Sequence, residues 1–402
     1  MNYSSHLKVL NLRGNRLSSS TLSWVFKVSK SLVHLDLSSN SLQHISYDAF
    51  INMTSLQYLD LSNNNLEVSS IKFICGLCQL KGLFLSFNNL SGKLSHWIQQ
   101  SCCFQNRIEE LDMSQNPFIS GPFPNFSSFS SLVTLRLRNT SLCGSISLRP
   151  LHSLKHLDLG DNKLSGLWSE LTQVLSLETL DLSNNEFNGT LPSTLGQLSS
   201  LDTLILSSNN LNGVMSEAHL STLSNLKILN VSHTSISFNF SSNWVPSFQL
   251  SQLYASSCKV GPNFPLWLKN QKRLELLYIS KGGIVDTIPE WFWDMSPGWK
   301  YLDLSYNQIH GTLPEITRPQ GLHFLDMSNN LLSGRLPNCW GYFRDLEFLN
   351  LAFNNFYGKI PNSIGNLTYI KSIHLNNNNL YGEMPYFLNS PDLLVIDFSQ
   401  NH

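Results

Sequence analysis

Leu177-Glu-Thr-Leu180-Asp-Leu182-Ser-Asn-Asn185 is the stretch whose reading decides the fold of this 402-residue chain. Leu180 and Leu182 flank Asp181, the period-two alternation of a short strand with one face turned inward. Asn185 follows at the corner where such a strand must turn. The same frame, LxxLxLxxNxL, begins at Leu7, Leu32, Leu56, Leu80, Ile108, Leu132, Leu154, Leu177 and Leu201. It returns at Leu226, Leu250, Leu274, Trp299, Leu322, Leu346, Ile370 and Leu393. These seventeen starts share a period of about 24 residues and hold phase throughout. One clear insertion, of about four residues, lies between Leu80 and Ile108.

That period and consensus mark leucine-rich repeats, read here as one array over residues 1–402. A single repeat cannot bury its own leucines, whereas stacked neighbours make a continuous core. The corner amide (Asn40, Asn64, Asn88, Asn162, Asn185 and Asn209 in the same phase) can donate to and accept from backbone groups that the turn leaves unpaired.

The second half of each repeat is informative as well. It reads Asn188-Gly189-Thr-Leu-Pro192, His310-Gly311-Thr-Leu-Pro314, Ser333-Gly334-Arg-Leu-Pro337, Tyr357-Gly358-Lys-Ile-Pro361 and Tyr381-Gly382-Glu-Met-Pro385. Gly permits the positive φ of a tight turn, and Pro fixes an extended or helix-starting geometry. This half resembles the plant extracellular leucine-rich repeats. Phe264-Pro-Leu-Trp-Leu268, Asp286-Thr-Ile-Pro-Glu-Trp-Phe-Trp293 and Leu336-Pro-Asn-Cys-Trp340 resemble the plant receptor-like proteins, and among them the ethylene-inducing-xylanase receptor group. The resemblance implies an α/β repeat solenoid, a plant-type superhelix with a parallel concave sheet and about 17 repeats. Complete members carry a secretion signal, a Cys-paired N-terminal cap, an island in the last repeats, a membrane-spanning helix and a short tail. None is visible here, and the chain stops at Asn401-His402 in mid-repeat, so it reads as an ectodomain fragment or a truncated gene product.

Composition excludes several classes. With 26 Lys plus Arg against 27 Asp plus Glu, the net charge of −1 gives no electrostatic reason to expect nucleic acid as a partner. Charged residues at 13% with 42% hydrophobic content is the reverse of a disordered chain. No stretch approaches the ~18 uninterrupted apolar residues of a membrane span.

Seven cysteines leave at least one thiol unpaired. Cys143, Cys258 and Cys339 read as small buried thiols. Cys78 lies 22 residues past Leu56 and Cys102 lies 22 past Leu80, and this shared phase predicts a Cys78–Cys102 disulfide unless the local insertion shifts the register. Cys75-x-x-Cys78 lacks the second ligand pair that zinc requires, so no metal and no cofactor is expected. Glycosylation sequons stand at Asn2, Asn52, Asn89, Asn125, Asn139, Asn188, Asn230, Asn239 and Asn366, about as many as a chain this rich in Asn and Ser gives by chance. Strand phase puts Asn139 and Asn230 on the concave face.

The third, fifth, seventh and eighth places of the frame face that surface. The fifth is usually Asp (Asp36, Asp60, Asp112, Asp158, Asp181, Asp303, Asp326 and Asp397), which repetition along the whole sheet marks as structural. Phe84, Arg136, Ile205, Tyr254, Tyr278 and His374 replace the acid. Around the later of these stand Tyr301, Tyr306, Phe324, Phe348 and Phe353, with Lys281 and His233. The band from Tyr254 to Phe353, with His374 added to it, is the candidate ligand face, because exposed aromatics mark interaction sites; the rings could equally pack on one another along the sheet. Arg136 and Arg138 could hold an acidic loop or neutralise Asp112 and Asp158, the second being the more economical reading.

No HExxH, GxSxG, Walker or kinase signature occurs, and the histidines are scattered, so catalysis is not expected. The resemblance implies part of a plant cell-surface immune receptor, on the extracellular side of the plasma membrane. It would recognise a microbial protein or peptide and signal in defence through a partner receptor kinase and a co-receptor kinase. The rivals are a secreted inhibitor of a pathogen cell-wall-degrading enzyme, similar to the shorter, capped polygalacturonase-inhibiting proteins, and a truncated copy without a ligand.

Overall fold

Every frame start is followed two residues later by a three-residue strand. The computed structural model describes residues 6–402 except 21–24, 26–29, 47–48, 68–71, 100–101, 150, 167–172, 296–297, 317–320 and 388–389. The chain divides into two compact units, residues 1–210 and 211–402.

In the first unit nine such strands run from Val9–Asn11 to Thr203–Ile205. The pairings are parallel and match place for place, as in Leu35 with Leu59 and Leu157 with Leu180. The first, fourth and sixth places form the core: Leu177, Leu180 and Leu182 are all inaccessible to solvent. The corner asparagine binds these layers together. Asn116 Oδ1 accepts the Leu90 N–H of the preceding repeat at 3.1 Å. Its Nδ2 donates to Met113 and Ser114 carbonyls in its own turn and to the Leu85 carbonyl one repeat back. Asn64, Asn88, Asn162, Asn185 and Asn209 repeat this four-bond set.

The second unit has eight strands of the same kind, from Ile228–Asn230 to Val395–Asp397. Asn307, Asn330, Asn354 and Asn378 continue the ladder. Cys258 takes the asparagine place in its repeat, its Sγ 2.9 Å from the Val231 carbonyl oxygen. The aromatic motifs that carry the family resemblance lie inside: Phe264 packs edge-on to Phe292 and Phe292 against Trp299, with ring centroids 5.1 and 5.0 Å apart.

The glycine half departs from the tight turn read in the sequence. Its residues form a second parallel layer, including His310–Thr312, Leu331–Gly334 and Asn355–Lys359 in the second unit. Gly334 shows why glycine is needed. It holds φ +89°, and a Cβ there would sit 2.8 Å from the Thr312 methyl carbon on the neighbouring strand. The prolines behave as expected: Pro192 and Pro361 are extended and each is followed by a 3-10 helix, Ser193–Gln197 and Asn362–Asn366. Among the described residues no α-helix exceeds the five residues of α1 (Leu94–Ile98).

Two cysteine readings are corrected. The disulfides are Cys75–Cys102 and Cys78–Cys103, with Cα atoms 4.3 and 4.9 Å apart, not Cys78–Cys102. The insertion lies between Leu80 and Ile108 and lengthens this segment, so counting forward from the preceding strand does not give the height of Cys102. Cys143 is exposed, because it follows the inward Leu142 on a strand and alternation turns it out. Cys258 and Cys339 are buried as read, and burial pushes both thiols up, that of Cys339 to about 11.

The ladder predicts a localised loss. Asn116→Ala leaves one amide and three carbonyls of the first unit without their partner and is expected to cost about 3 kcal/mol. A lowered urea midpoint, with faster amide exchange at Leu90, is the expected result; an unchanged midpoint would show that the ladder does not hold the repeats together.

Candidate ligand-binding face

The fifth-place aspartates are consumed by the fold. Each accepts the N–H two residues on: Asp36 from Ser38, Asp60 from Ser62, Asp112 from Ser114 and Asp158 from Gly160. Asp181, Asp303, Asp326 and Asp397 do the same for Ser183, Ser305, Ser328 and Ser399. The structural reading of these acids therefore stands. Among the described residues no group of three His, Cys, Asp or Glu could hold a metal ion.

The aromatic positions of the second unit come together as a run on the same face. Tyr254 stacks on Tyr278 at 5.1 Å, and Tyr278 lies 6.5 Å from Phe324. Phe324 stacks nearly parallel on Phe348 at 4.6 Å, and Phe348 meets His374 at 5.6 Å. Tyr301 joins at Phe324, with centroids 6.4 Å apart. The rings do pack on one another, as the alternative reading held, yet Tyr301 remains 37% exposed. Burial pushes the Tyr254 phenol up; at Tyr278 burial comes first, with Tyr254 and Asp303 adding to it.

A second column runs along the eighth place. Lys281 Nζ lies 5.2 Å above the Tyr306 ring, a cation–π contact. Tyr306 is 55% and Phe353 50% exposed, and among the described residues Phe353 stacks on no ring. Sequence reasoning missed what is common to this column. The eighth place has positive φ in every repeat of both units, including His233 at 57°, Lys281 at 52°, Tyr306 at 54° and Phe353 at 54°. Asn, Asp and Ser tolerate this backbone, and their frequency there (Ser39, Asn63, Asp161, Asn184, Ser208, Asn329, Asn377) was the available signal. A bulky aromatic side chain does not tolerate it well. Tyr306 and Phe353 thus carry backbone strain while exposing an apolar ring.

The basic pair on the first unit divides. Arg138, not Arg136, is the neutralising residue, and its acids are Asp158, Asp161 and Asp181. From the seventh place the Arg138 side chain crosses Gly160, where any Cβ would clash with the guanidinium. Arg136 forms no ion pair among the described residues. Burial raises the Asp158 carboxyl pKa in spite of the guanidinium beside it, and holding three carboxylates raises that of Arg138 against its own desolvation.

Of the sequons, Asn2 lies outside the described residues. Asn52, Asn89, Asn125, Asn188, Asn239 and Asn366 are exposed. Asn139 and Asn230 are half-buried, and each uses its amide internally: Asn139 donates to Gln115 Oε1, and Asn230 accepts from the Ser232 N–H.

Family models described as Leucine rich repeat match residues 5–66, and residues 153–175, 176–198, 299–318, 321–343 and 345–367. The chain is a leucine-rich-repeat protein. Over 124 residues it is 43% identical to Receptor-like protein EIX1 and 41% identical to Receptor-like protein EIX2, both from Solanum lycopersicum. Each alignment takes in 31% of this chain and 12% of the relative, so the matched repeats span a small part of those proteins. Among solved structures, the plant peptide hormone receptor RGFR1 in complex with RGF2 is similar, with a TM-score of 0.75 at 26% identity. That likeness covers 98% of this chain and 67% of the receptor chain. The resemblance to plant receptor-like proteins is thereby borne out. No helix among the described residues is long and apolar enough to cross a membrane.

Removing Arg138 from this leucine-rich-repeat face should expose the repulsion among its acids. Arg138→Ala is expected to cost about 2 kcal/mol at neutral pH, because the pairs are only part-buried. The loss should shrink as pH falls through the raised pKa of Asp158, because a protonated Asp158 no longer needs the guanidinium. In the unaltered chain the Asp158 pKa lies above its unfolded value, so ionising it costs stability as pH rises through that raised value. Thermal melts of both chains from pH 3 to 7 (on the order of the carboxylate range and above it) check this; a gap independent of pH would refute the electrostatic account.

Proposed function

We propose that this chain is the ligand-binding part of a plant cell-surface receptor-like protein, and that the aromatic face of its second unit takes a microbial protein or peptide. The observation that carries the reading is the pair of exposed rings, Tyr306 and Phe353, held at left-handed backbone beside a continuous aromatic run. The fold does not need them: other repeats fill the same place with Asn or Ser. Strain kept at a surface position points to a role beyond stability. Rigid Tyr and Phe side chains supply large contact area at low entropy cost, and such anchors dominate binding energy.

Kinship with receptor-like proteins and likeness to a peptide-bound receptor ectodomain support the receptor role. Defence signalling would pass through a partner receptor kinase and a co-receptor kinase, at the outer side of the plasma membrane. Lys281, beside Tyr306 within the face, suits a ligand that carries an acidic group next to its apolar part.

A purified fungal ethylene-inducing xylanase is the probe, with binding to the chain read by surface plasmon resonance. Tyr254→Ala, Tyr278→Ala and Phe353→Ala combined should weaken binding at least about tenfold, since each such anchor contributes over ~1 kcal/mol. The melting transition should remain cooperative. If the triple variant binds the xylanase as tightly as the unaltered chain, the aromatic face is not the site. Inhibition of a fungal polygalacturonase by the chain would instead favour the inhibitor class.

A further inference from the structure

The insertion between Leu80 and Ile108 opens the interior of the first unit. A cavity of about 530 Å³ lies within this repeat. Its floor is Leu83, Leu85, Leu111 and Met113, the fourth- and sixth-place side chains of two successive frames. Trp97 and Ile98 of α1 and the Cys75–Cys102 bridge line it on another side, and Phe104 and Phe129 add aromatic surface. The hollow is open on one side, and Leu83, Leu111 and Met113, each 3% exposed, reach it only with their tips; in a closely packed repeat even such a hollow calls for a physical cause. The longer chain path between the two strands supplies one. The two disulfides join residues 102 and 103 to the preceding repeat and so fix where the longer path ends.

Polarity is confined to one part of the lining. Lys93 and His96 are both exposed and both line the cavity, and among the described residues no Asp or Glu lines it. Gln105 turns its amide aside, donating to the Ile98 carbonyl at 2.7 Å. The volume falls within the range of small-molecule sites, about 300–1,000 Å³. Apolar walls with one cationic edge and no anion select a particular chemistry: a long apolar body ending in a single negative charge.

We propose that this cavity binds a monoanionic amphiphile of the fatty-acid class. The acyl chain lies over Leu83, Leu111 and Met113 beneath Trp97, and the carboxylate meets Lys93. This site is built wholly from the first unit, so it stands or falls separately from the aromatic face of the second.

The test is titration of cis-parinaric acid into the full chain with its disulfides intact. Saturable binding of one molecule is expected, with quenching of tryptophan emission by transfer to the probe and displacement by palmitic acid. Trp97→Phe should reduce the quenching while binding is kept. Lys93→Glu, at an exposed position, should weaken the acid about tenfold and leave its methyl ester unchanged. Leu111→Phe should weaken both by filling the floor, and if it does not fold by circular dichroism, Lys93→Glu decides. Absence of saturable binding to the unaltered chain, or equal effects of Lys93→Glu on acid and ester, would overturn the proposal.

Discussion

The side-chain amide of the ladder asparagine is the interaction on which both units depend. A short strand that turns after three residues leaves carbonyls and an N–H facing the interior, and buried polar groups without partners are costly. One amide satisfies four of them across two repeats, as Asn116 does with Leu85, Leu90, Met113 and Ser114. That geometry sets the backbone just before it. To bring the ninth-place amide under its own turn, the eighth residue adopts positive φ in every repeat, from Gly14 to Gln400. The fifth-place carboxylate then caps the same turn from the solvent side. Strand, corner and cap form one hydrogen-bonded unit, repeated.

A scaffold held this way separates stability from recognition. The first, fourth, sixth and ninth places are committed to core and ladder, and the fifth mostly to the cap. What remains on the open face can vary at little cost to the fold, so departures there carry information about binding. Tyr254 and Tyr278 give up the turn cap that Asp303 and Asp326 provide next door. Tyr306 and Phe353 accept an unfavourable backbone that Asn329 accepts more easily. Phe84 and Phe87 make the same two departures within one repeat of the first unit, whereas in the second unit they recur over several successive repeats on one face, which is what a binding surface looks like in a repeat protein.

Arg138 and the insertion repeat show the same separation at work in the first unit. There a seventh-place side chain is turned to electrostatics, joining acids from two neighbouring strands. In the insertion repeat the frame itself is stretched, and the interior opens while the strand register on either side stays intact, with Leu83 still opposite Leu111. Repeats tolerate such a bulge because each one contacts only its neighbours.

The sequence by itself determined every strand of the leucine frame, the buried leucines, the asparagine ladder and the structural character of the aspartates. All of these repeat at fixed spacing, and a periodic constraint leaves a periodic trace. It also placed the aromatic residues on one face, since alternation fixes direction. Only the tertiary structure decided what depends on distances between repeats. It paired Cys75 with Cys102 and Cys78 with Cys103, because an insertion breaks the counting that relates one repeat to the next. It gave the acids to Arg138 instead of Arg136, because the side chain at the seventh place has open passage over Gly160 to the acids of the next two repeats. It made a strand of the glycine half, where a missing side chain matters only once a neighbour such as Thr312 lies against it. Periodicity records what every repeat must do, whereas the exceptions are fixed by contacts that no spacing in the sequence encodes.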